Sequence, residues 1–217
     1  MYEKEKQAII DAALEIKAAG LIHMTGGNVS VRMPNGHIIV TPSGMPYETM
    51  TPDELIVVDA DGNKIEGECR ASVDTVALLH IFKNIPEVNA IIHTHQPYAT
   101  AVGLITDELP ACTTTLCNAC GASVFVAPYS SAASLDMGVK SVEHLKGRKA
   151  VILKHHGVIT VGANLNEALF SAIYLEDSAK TYLVAKAAAQ NGKIDILADD
   201  EADAAVELFK DYGQKPK

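Results

Sequence analysis

Apolar and polar residues alternate in short blocks along this chain, and the spacing within each block predicts its secondary structure. Between Ile9 and Ile16, apolar residues recur at helical spacing, and Gly20 is a suitable stop for that helix. Further along, short runs rich in valine and isoleucine lie between turn sequences, as strands do. These runs occupy residues 29–31, 38–40, 55–59, 88–95, 124–128 and 150–154.

Helices are predicted at four later places. Ser72 is a good capping residue for a helix that runs to about residue 83, and Pro97 suits the first turn of a short helix. Residues 165–190 are rich in alanine, leucine and glutamate and predict the longest helix, and residues 201–210 predict a short acidic one. Short strands between helices predict an α/β fold, and the hairpin sequences predict a mostly antiparallel sheet.

The composition limits the classes of function. The chain has 217 residues, and no repeat or linker interrupts it, so one domain over residues 1–217 is expected. It has 18 Lys and Arg against 27 Asp and Glu, and a net charge of −9 disfavours nucleic acid or an anionic membrane as a partner. The charged amino-terminal stretch and the lack of an apolar run of about 18 residues favour a cytoplasmic protein.

The four cysteines do not have the pattern of a disulfide framework. Cys117 and Cys120 form a Cys-x-x-Cys pair, but Cys69 and Cys112 are not spaced as a second pair of zinc ligands. A redox role would need a helix that starts right after the first cysteine of the pair, and the threonine-rich approach does not suggest one. We therefore interpret the cysteines as buried, small, apolar residues.

The strongest chemical signal is the sequence Ile-Ile-His-Thr-His, which places His93 and His95 two positions apart. Side chains at this spacing on a strand share a face, so the two imidazoles can converge on one cation. A third histidine, His155 or His156, follows another apolar strand and precedes Gly157. Three histidines with an open coordination position are typical of a catalytic zinc site. The alternative is two hydrogen-bonded core histidines and an unrelated downstream pair.

Two short glycine-containing turns and a predicted helix start offer groups that could bind an anion. Backbone N–H groups and hydroxyls in such turns can point at a phosphate, although ordinary tight turns have the same composition. Asp74, in the first turn after Ser72, is either an acid that favours the helix dipole or a metal ligand or general base beside the histidines. The candidate anion-binding segments are Gly26-Gly27-Asn28, Thr41-Pro42-Ser43-Gly44 and Ser72.

Together these motifs resemble the class II aldolase/adducin family, and within it the branch of bacterial L-fuculose-1-phosphate aldolases. The resemblance covers nearly the whole chain, and His-x-His with His-Gly between two small-residue loops is a specific combination. The motifs that bear it are Gly-Gly-Asn-Val-Ser-Val-Arg, Thr-Pro-Ser-Gly-Met-Pro-Tyr, Ile-His-Thr-His, Ala-Pro-Tyr, His-His-Gly and the tail at residues 208–213.

The resemblance implies a zinc-dependent lyase on a three-layer α/β/α fold, in a homotetramer with active sites between subunits. It implies cleavage of a phosphorylated ketose to glycerone phosphate and an aldehyde such as lactaldehyde. The implied zinc ligands are His93, His95 and His156, since the family ligand directly precedes the glycine. Asp74 and Tyr212 are the implied catalytic residues, the tyrosine reaching a neighbouring subunit's site. The implied phosphate-binding residues are Gly27, Asn28, Ser43, Gly44 and Ser72.

The chain departs from the aldolase pattern on the side that faces the substrate. Asp74 stands where the aldolases have glutamate, and Val73 replaces the second of two serines in the phosphate site. Thr114 and Ala132 stand where the aldolases have aromatic residues. The metal-binding pattern is retained while the substrate wall changes, so the identity of the ketose stays open.

Three alternatives remain within the same family. Asp74 in the sequence Ser-Val-Asp-Thr resembles the L-ribulose-5-phosphate 4-epimerase branch, but Asn118 stands where that branch uses a second aspartate. A decarboxylase of phosphorylated sugar acids is another possibility. Adducin-type relatives use the fold as a non-catalytic interaction module and lack an intact metal triad, whereas all three histidines are present here.

Overall fold

A nine-stranded sheet runs through residues 1–209, the part of the chain that this computed structural model describes. The strand order across it is β4-β3-β2-β1-β5-β9-β8-β7-β6. The strands are β1 (Asn28–Arg32), β2 (Ile38–Val40), β3 (Ile56–Val58), β4 (Lys64–Glu66), β5 (Ala90–Thr94), β6 (Glu108–Leu109), β7 (Val124–Ala127), β8 (Ala150–Leu153) and β9 (Gly157–Gly162).

Neighbouring strands are antiparallel except for β7 and β8, which run parallel. The sheet is therefore mixed but mostly antiparallel, which confirms the predicted α/β class. His93 of β5 lies opposite Asn28 of β1 on one side and Ile159 of β9 on the other. This histidine is consequently held by backbone pairing in the centre of the sheet.

The described region has seven α-helices and two short 3-10 helices, Tyr47–Thr49 and Pro52–Glu54. The longest, α6, begins at Asn164, whose side chain accepts a hydrogen bond from the backbone N–H of Glu167. This side-chain cap satisfies one of the N–H groups that a helix start leaves free. The helices are α1 (Glu3–Ala18), α2 (Thr75–Asn84), α3 (Pro97–Ile105), α4 (Thr114–Cys120), α5 (Leu135–Leu145), α6 (Leu165–Ala188) and α7 (Asp199–Phe209).

Successive residues of β5 enter different hydrophobic clusters. Ile91 packs with residues of α2 and α5, whereas Ile92 packs with residues of α1 and α6. Both faces of β5 are therefore buried, which explains why its sequence is a continuous apolar run instead of an alternating one. The three-layer stacking implied by the resemblance stays a prediction.

The structure corrects two helix boundaries. The helix predicted to start at Ser72 starts at Thr75, so Asp74 is its N-cap residue and not a member of its first turn. The acidic helix α7 begins at Asp199, two residues before the predicted start. Its predicted end, Lys210, lies outside the described residues, as does Tyr212.

Two helices escaped prediction, and each of them starts at a side-chain cap. Thr113 accepts a hydrogen bond from the backbone N–H of Leu116 at the start of α4, and Gly121 ends that helix in a left-handed conformation. Ser134 accepts a hydrogen bond in the same way from the N–H of Met137 at the start of α5. Helix α4 therefore starts before the Cys-x-x-Cys pair and contains both cysteines, and it does not start right after Cys117 as a redox pair would need.

Cys117 and Cys120 are both fully buried, as predicted, whereas Cys69 and Cys112 are only partly buried. Burial raises the pKa of Cys120 to about 12, so this thiol stays protonated and is a poor nucleophile or metal ligand. None of the helices between residues 1 and 209 has the length and apolar character that crossing a bilayer would require.

Candidate metal centre

Three histidines meet at the ends of two neighbouring strands. His93 is the fourth residue of β5, His95 follows the end of that strand, and His156 lies in the turn between β8 and β9. The potential ligand atoms of these side chains all lie within 4.8 Å of one another. The predicted convergence of separate chain segments is therefore present, and the alternative of an unrelated downstream pair is wrong.

The turn between β8 and β9 decides which of the two adjacent histidines takes part. His155 adopts the left-handed conformation with φ of 62°, and Leu153 pairs with Gly157 across the turn. This reversal leaves the His155 side chain exposed, while His156 enters the cluster with His93. The choice of His156 implied by the resemblance agrees with this geometry.

A backbone contact fixes the orientation of the most buried histidine. Nδ1 of His93 donates a hydrogen bond of 2.8 Å to the carbonyl oxygen of Val158 on β9. With the ring hydrogen on Nδ1, the neutral imidazole presents the lone pair of Nε2 to the cluster. That Nε2 atom lies 3.1 Å from Nε2 of His95.

The donor set fits a divalent ion that prefers nitrogen ligands. Two nitrogens bound to one tetrahedral ion at about 2.0–2.1 Å lie about 3.3 Å apart, close to the observed separation of 3.1 Å between His93 and His95. Nδ1 of His156 is also buried, and no group in residues 1–209 hydrogen-bonds to it. Burial lowers the pKa of His93 to about 4, and the partial burial of the His95 and His156 rings lowers their pKa values in the same direction, which keeps the imidazoles neutral as ligands.

Glycines allow the backbone to approach these histidines closely. A Cβ atom on Gly157 would lie 2.2 Å from the carbonyl oxygen of Thr94, and one on Gly27 would lie 2.4 Å from that of His93. Gly26 lies against the ring of His95, where a Cβ atom would come within 3.1 Å of Nδ1. Side chains at these positions would push the ligand-bearing strand away.

A buried carboxylate borders the cluster. Oδ2 of Asp74 lies 3.8 Å from Nε2 of His93 and accepts a hydrogen bond of 2.9 Å from the side-chain amide of Asn28. Oδ1 accepts a hydrogen bond of 3.1 Å from the backbone N–H of Ala133. Donors on both oxygens fix the plane of the carboxylate. Ala133 has φ of 57°, so a left-handed backbone at this alanine directs the N–H.

The predicted anion-binding segments are brought together beside Asp74. The backbone N–H of Ser72 donates to the carbonyl oxygen of Thr41, and the N–H of Ser43 donates to that of Arg70. The hydroxyl of Ser72 also accepts a hydrogen bond from the N–H of Asp74. The two turns therefore form one patch next to the carboxylate, but the N–H groups of Ser43 and Ser72 are committed to these carbonyls, so the hydroxyls of the two serines are the groups left for an anion.

The remaining predicted phosphate-binding residues differ in which of their hydrogen-bonding groups are still available to an anion. Asn28 has one amide hydrogen committed to Asp74, and its Oδ1 is buried without a partner in the described region. Gly27 has its carbonyl oxygen turned toward the hydroxyl of Tyr47, which donates at 2.9 Å. Gly44 is exposed in the left-handed conformation, with open space where a Cβ atom would stand.

Sequence reasoning missed the groups that hydrogen-bond to the site residues and fix their orientation. Tyr47 is buried, and its pKa is raised to about 12 by burial, so its hydroxyl remains a donor to the glycine turn. The carbonyl of Val158 and the N–H of Ala133 are backbone groups, so the residue types at these positions could not predict their roles. Only Tyr47 had a signal, because it ends the Thr-Pro-Ser-Gly-Met-Pro-Tyr motif.

This chain is similar over most of its length to one protein family and to relatives named as aldolases. Residues 7–183 match the Class II Aldolase and Adducin N-terminal domain. The L-fuculose phosphate aldolase of Escherichia coli (strain K12) is 35% identical over 213 residues, with 97% of each chain covered. A 5-deoxy-D-ribulose 1-phosphate aldolase of Bacillus thuringiensis serovar kurstaki is 30% identical over 216 residues, covering 99% of this chain and 100% of its own.

Two solved structures of L-fuculose 1-phosphate aldolases have a fold similar to that of this chain. An L-fuculose 1-phosphate aldolase superimposes with a TM-score of 0.89 at 30% identity, covering 94% of this chain and 95% of its own. The L-fuculose-1-phosphate aldolase of Thermus thermophilus has a TM-score of 0.76 at 27% identity, with 88% of this chain and 97% of its own covered.

Proposed function

This chain belongs to the class II aldolase and adducin family, and on that basis we propose that it is a zinc-dependent aldolase that cleaves a phosphorylated ketose. Family membership together with relatives named as aldolases makes it a lyase. The observation that supports the proposal most directly is the convergence of His93, His95 and His156 beside the carboxylate of Asp74. A module that served only for interaction would not need this arrangement.

The proposed substrate is a ketose 1-phosphate similar to L-fuculose 1-phosphate, cleaved to glycerone phosphate and an aldehyde such as lactaldehyde. Relatives are named for L-fuculose phosphate and for 5-deoxyribulose 1-phosphate. Both substrates have a phosphorylated hydroxyl next to the ketone, and breaking the bond between C3 and C4 gives the same three-carbon product. The two substrates differ in the portion that leaves as the aldehyde. We expect the residues at positions Thr114 and Ala132 to determine which of these aldehyde portions is accepted.

His93, His95 and His156 would hold the zinc ion. When bound, zinc supplies a Lewis acid that stabilises the negative charge developing on the three-carbon fragment. The hydrogen bond from His93 to Val158 keeps the Nε2 lone pair directed at the cluster, which limits the reorganisation needed for binding.

The phosphate would bind to Gly27, Asn28, Ser43, Gly44 and Ser72, the residues implied by the resemblance. The backbone pairing of Ser72 with Thr41 and of Ser43 with Arg70 supports this assignment, because it joins two distant turns into one patch. Fixing the phosphate there orients the substrate and lowers the entropic part of the barrier.

Asp74 is the proposed proton-transfer residue. Its side chain is one methylene shorter than glutamate, yet Oδ2 lies 3.8 Å from His93, so the carboxylate still borders the metal centre. There it would take or return a proton at the reacting carbon or hydroxyl of the three-carbon fragment. Tyr212 is the proposed proton donor to the aldehyde oxygen, and it lies outside the described residues.

The remaining features of the proposal come from the resemblance. We infer one domain over residues 1–217, three-layer stacking around the sheet, a cytoplasmic location and a homotetramer with active sites between subunits. Burial of successive β5 residues by different helices supports the stacking. The tetramer is tested by the mass of the purified protein in solution.

The proposal is tested by incubating the protein with zinc and three separate substrates: L-fuculose 1-phosphate, 5-deoxyribulose 1-phosphate and L-ribulose 5-phosphate. We expect glycerone phosphate and an aldehyde from a ketose 1-phosphate, identified by mass. Conversion of L-ribulose 5-phosphate to an isomer without fragmentation would instead favour the epimerase. Absence of both turnover and bound metal would favour the interaction module.

Metal analysis of variants tests the ligand assignment. We expect one zinc per wild-type chain, and loss of zinc and activity when both His93 and His95 are changed to alanine. The adjacent histidines provide a matched comparison: His156→Ala should lose zinc, and His155→Ala should retain it. Stoichiometric zinc in the His93→Ala, His95→Ala double variant would reject the assignment.

A further inference from the structure

His95 differs from His93 in how its position is maintained. Within residues 1–209, the ring of His95 has no hydrogen-bond partner apart from Nε2 of His93, and the residue is exposed. It also lies beyond the last residue of β5, Thr94, so sheet pairing does not hold it. Apart from the packing of Gly26 and Gly157 against it, its position depends on the backbone segment that connects Thr94 to helix α3.

Gln96 ties the first part of this segment to helix α6. Its Oε1 accepts a hydrogen bond of 2.6 Å from the hydroxyl of Thr94, and its Nε2 donates one of 3.2 Å to the carbonyl oxygen of Ala172. Gln96 and Thr94 are both fully buried. The residues on either side of His95 are thus joined to each other and to one point on α6.

Glu176 ties the second part of the segment to the same helix. Its Oε1 accepts a hydrogen bond of 2.9 Å from the backbone N–H of Tyr98, and its Oε2 accepts one of 2.9 Å from that of Ala99. Pro97 begins α3 and has no N–H, so this carboxylate binds the next two backbone donors of the helix. A carboxylate here is also favoured by the partial positive charge of a helix start.

The two attachments lie one turn apart on α6, because Ala172 and Glu176 are separated by four residues. The residues that these attachments hold, Thr94 and Gln96 on one part of the segment and Tyr98 and Ala99 on the other, lie close to His95 in the chain. We propose that Glu176 is a positioning residue of the metal centre, which fixes His95 by anchoring the start of α3 while Gln96 anchors the end of β5. This inference rests on the zinc site of the proposed function.

A purely structural cap would have a different signature. If Glu176 only stabilised α3, its loss would lower the melting temperature without changing how tightly the folded protein binds zinc. If it positions His95, its loss must weaken zinc binding and alter the ligand geometry, since a displaced ligand costs affinity.

The test compares Glu176→Gln with Asp177→Asn, which makes the same carboxylate-to-amide change at the next, exposed residue of α6. Zinc dissociation constants are measured by competition with a chromophoric chelator, the visible spectrum is recorded with cobalt in place of zinc, and the melting temperature is recorded without metal. We expect about 10- to 100-fold weaker zinc binding and an altered cobalt spectrum for Glu176→Gln alone.

Several results would overturn or separate the inferences. Unchanged zinc affinity and an unchanged cobalt spectrum in Glu176→Gln would overturn the positioning role, even with a lower melting temperature. Should that variant fail to fold, Glu176→Asp keeps the charge but shortens the side chain by one methylene, so that it no longer reaches both N–H groups of α3. Zinc binding by this variant as tight as in the wild-type protein would also overturn the positioning role. A wild-type protein that binds zinc without aldolase activity removes the proposed function and leaves this inference, whereas one that binds no zinc removes both.

Discussion

Oδ2 of Asp74 lies 3.8 Å from Nε2 of His93, although the two residues are on different elements, the N-cap of α2 and the strand β5. Asn28 connects them, since it pairs with His93 across β1 and β5 and donates its side-chain amide to Asp74. A change at Asn28 is therefore expected to affect the positions of both His93 and Asp74.

Asp74→Asn tests the proton-transfer role. We expect kcat to fall by about 10²- to 10⁴-fold, because an amide cannot exchange a proton as a carboxylate does. Zinc content should stay at the wild-type level, since the three histidines are unchanged. Steady-state kinetics with metal analysis checks this, with Asp136→Asn on the exposed surface of α5 as control. Wild-type kcat in Asp74→Asn would contradict the assignment.

Val73→Ser tests whether the patch around Ser72 binds phosphate. Val73 is 58% exposed next to Ser72, so a hydroxyl there can reach a bound anion without repacking the core. One additional hydrogen bond to a charged group predicts a KM lower by about 10-fold for the phosphorylated ketose, with kcat little changed. Val73→Ala removes the same methyl groups without adding the hydroxyl. Equal KM values for the serine and alanine variants would argue against this phosphate site.

Gly157→Ala tests the close approach of β9 to β5. The added methyl group would lie 2.2 Å from the carbonyl oxygen of Thr94, so one strand must shift. We expect the free energy of unfolding to fall by more than about 2 kcal/mol, together with weaker zinc binding. Gly147→Ala is the control, since nothing lies within 4 Å of its Cβ position and only its left-handed backbone costs energy, about 1 kcal/mol. Similar losses in the two variants would contradict the steric explanation.

The stability of the metal-free protein should depend on pH. Burial lowers the pKa of His93 to about 4 from its ordinary value of 6.5, so between these values the unfolded chain binds a proton that the folded protein excludes. The free energy of unfolding is therefore expected to fall as the pH falls through this window, with His95 and His156 adding to the slope.

Urea unfolding in the presence of a chelator, at a series of pH values across that window, measures the effect. His93→Gln should reduce the slope of stability against pH. His23→Gln, which changes an exposed histidine, should leave the slope unchanged. A flat profile in the wild-type protein would contradict the burial of a neutral imidazole.

Much of the fold followed from local patterns. The apolar run at Ile38–Val40 predicted β2, and the alanine, leucine and glutamate content of the segment from Leu165 predicted α6; both elements formed as predicted. Helix α4 was missed because it has only seven residues and a single capping residue, Thr113, starts it. Helix α5 was missed although Ser134 caps it and its apolar residues recur on one face, so this signal was present in the sequence.

The sequence alone indicated that the side chains of His93 and His95 lie on the same face, because side chains two positions apart on a strand share a face. It also indicated that a third histidine comes from another segment. Tertiary structure decided that His156 and not His155 completes the cluster, through the left-handed turn between β8 and β9. It also decided that a short aspartate borders the metal centre, and that Gln96 and Glu176 hold the segment containing His95. These relationships join residues 19 to about 80 positions apart, and the pairing of strands and packing of helices that set such distances leave no local signal in the chain.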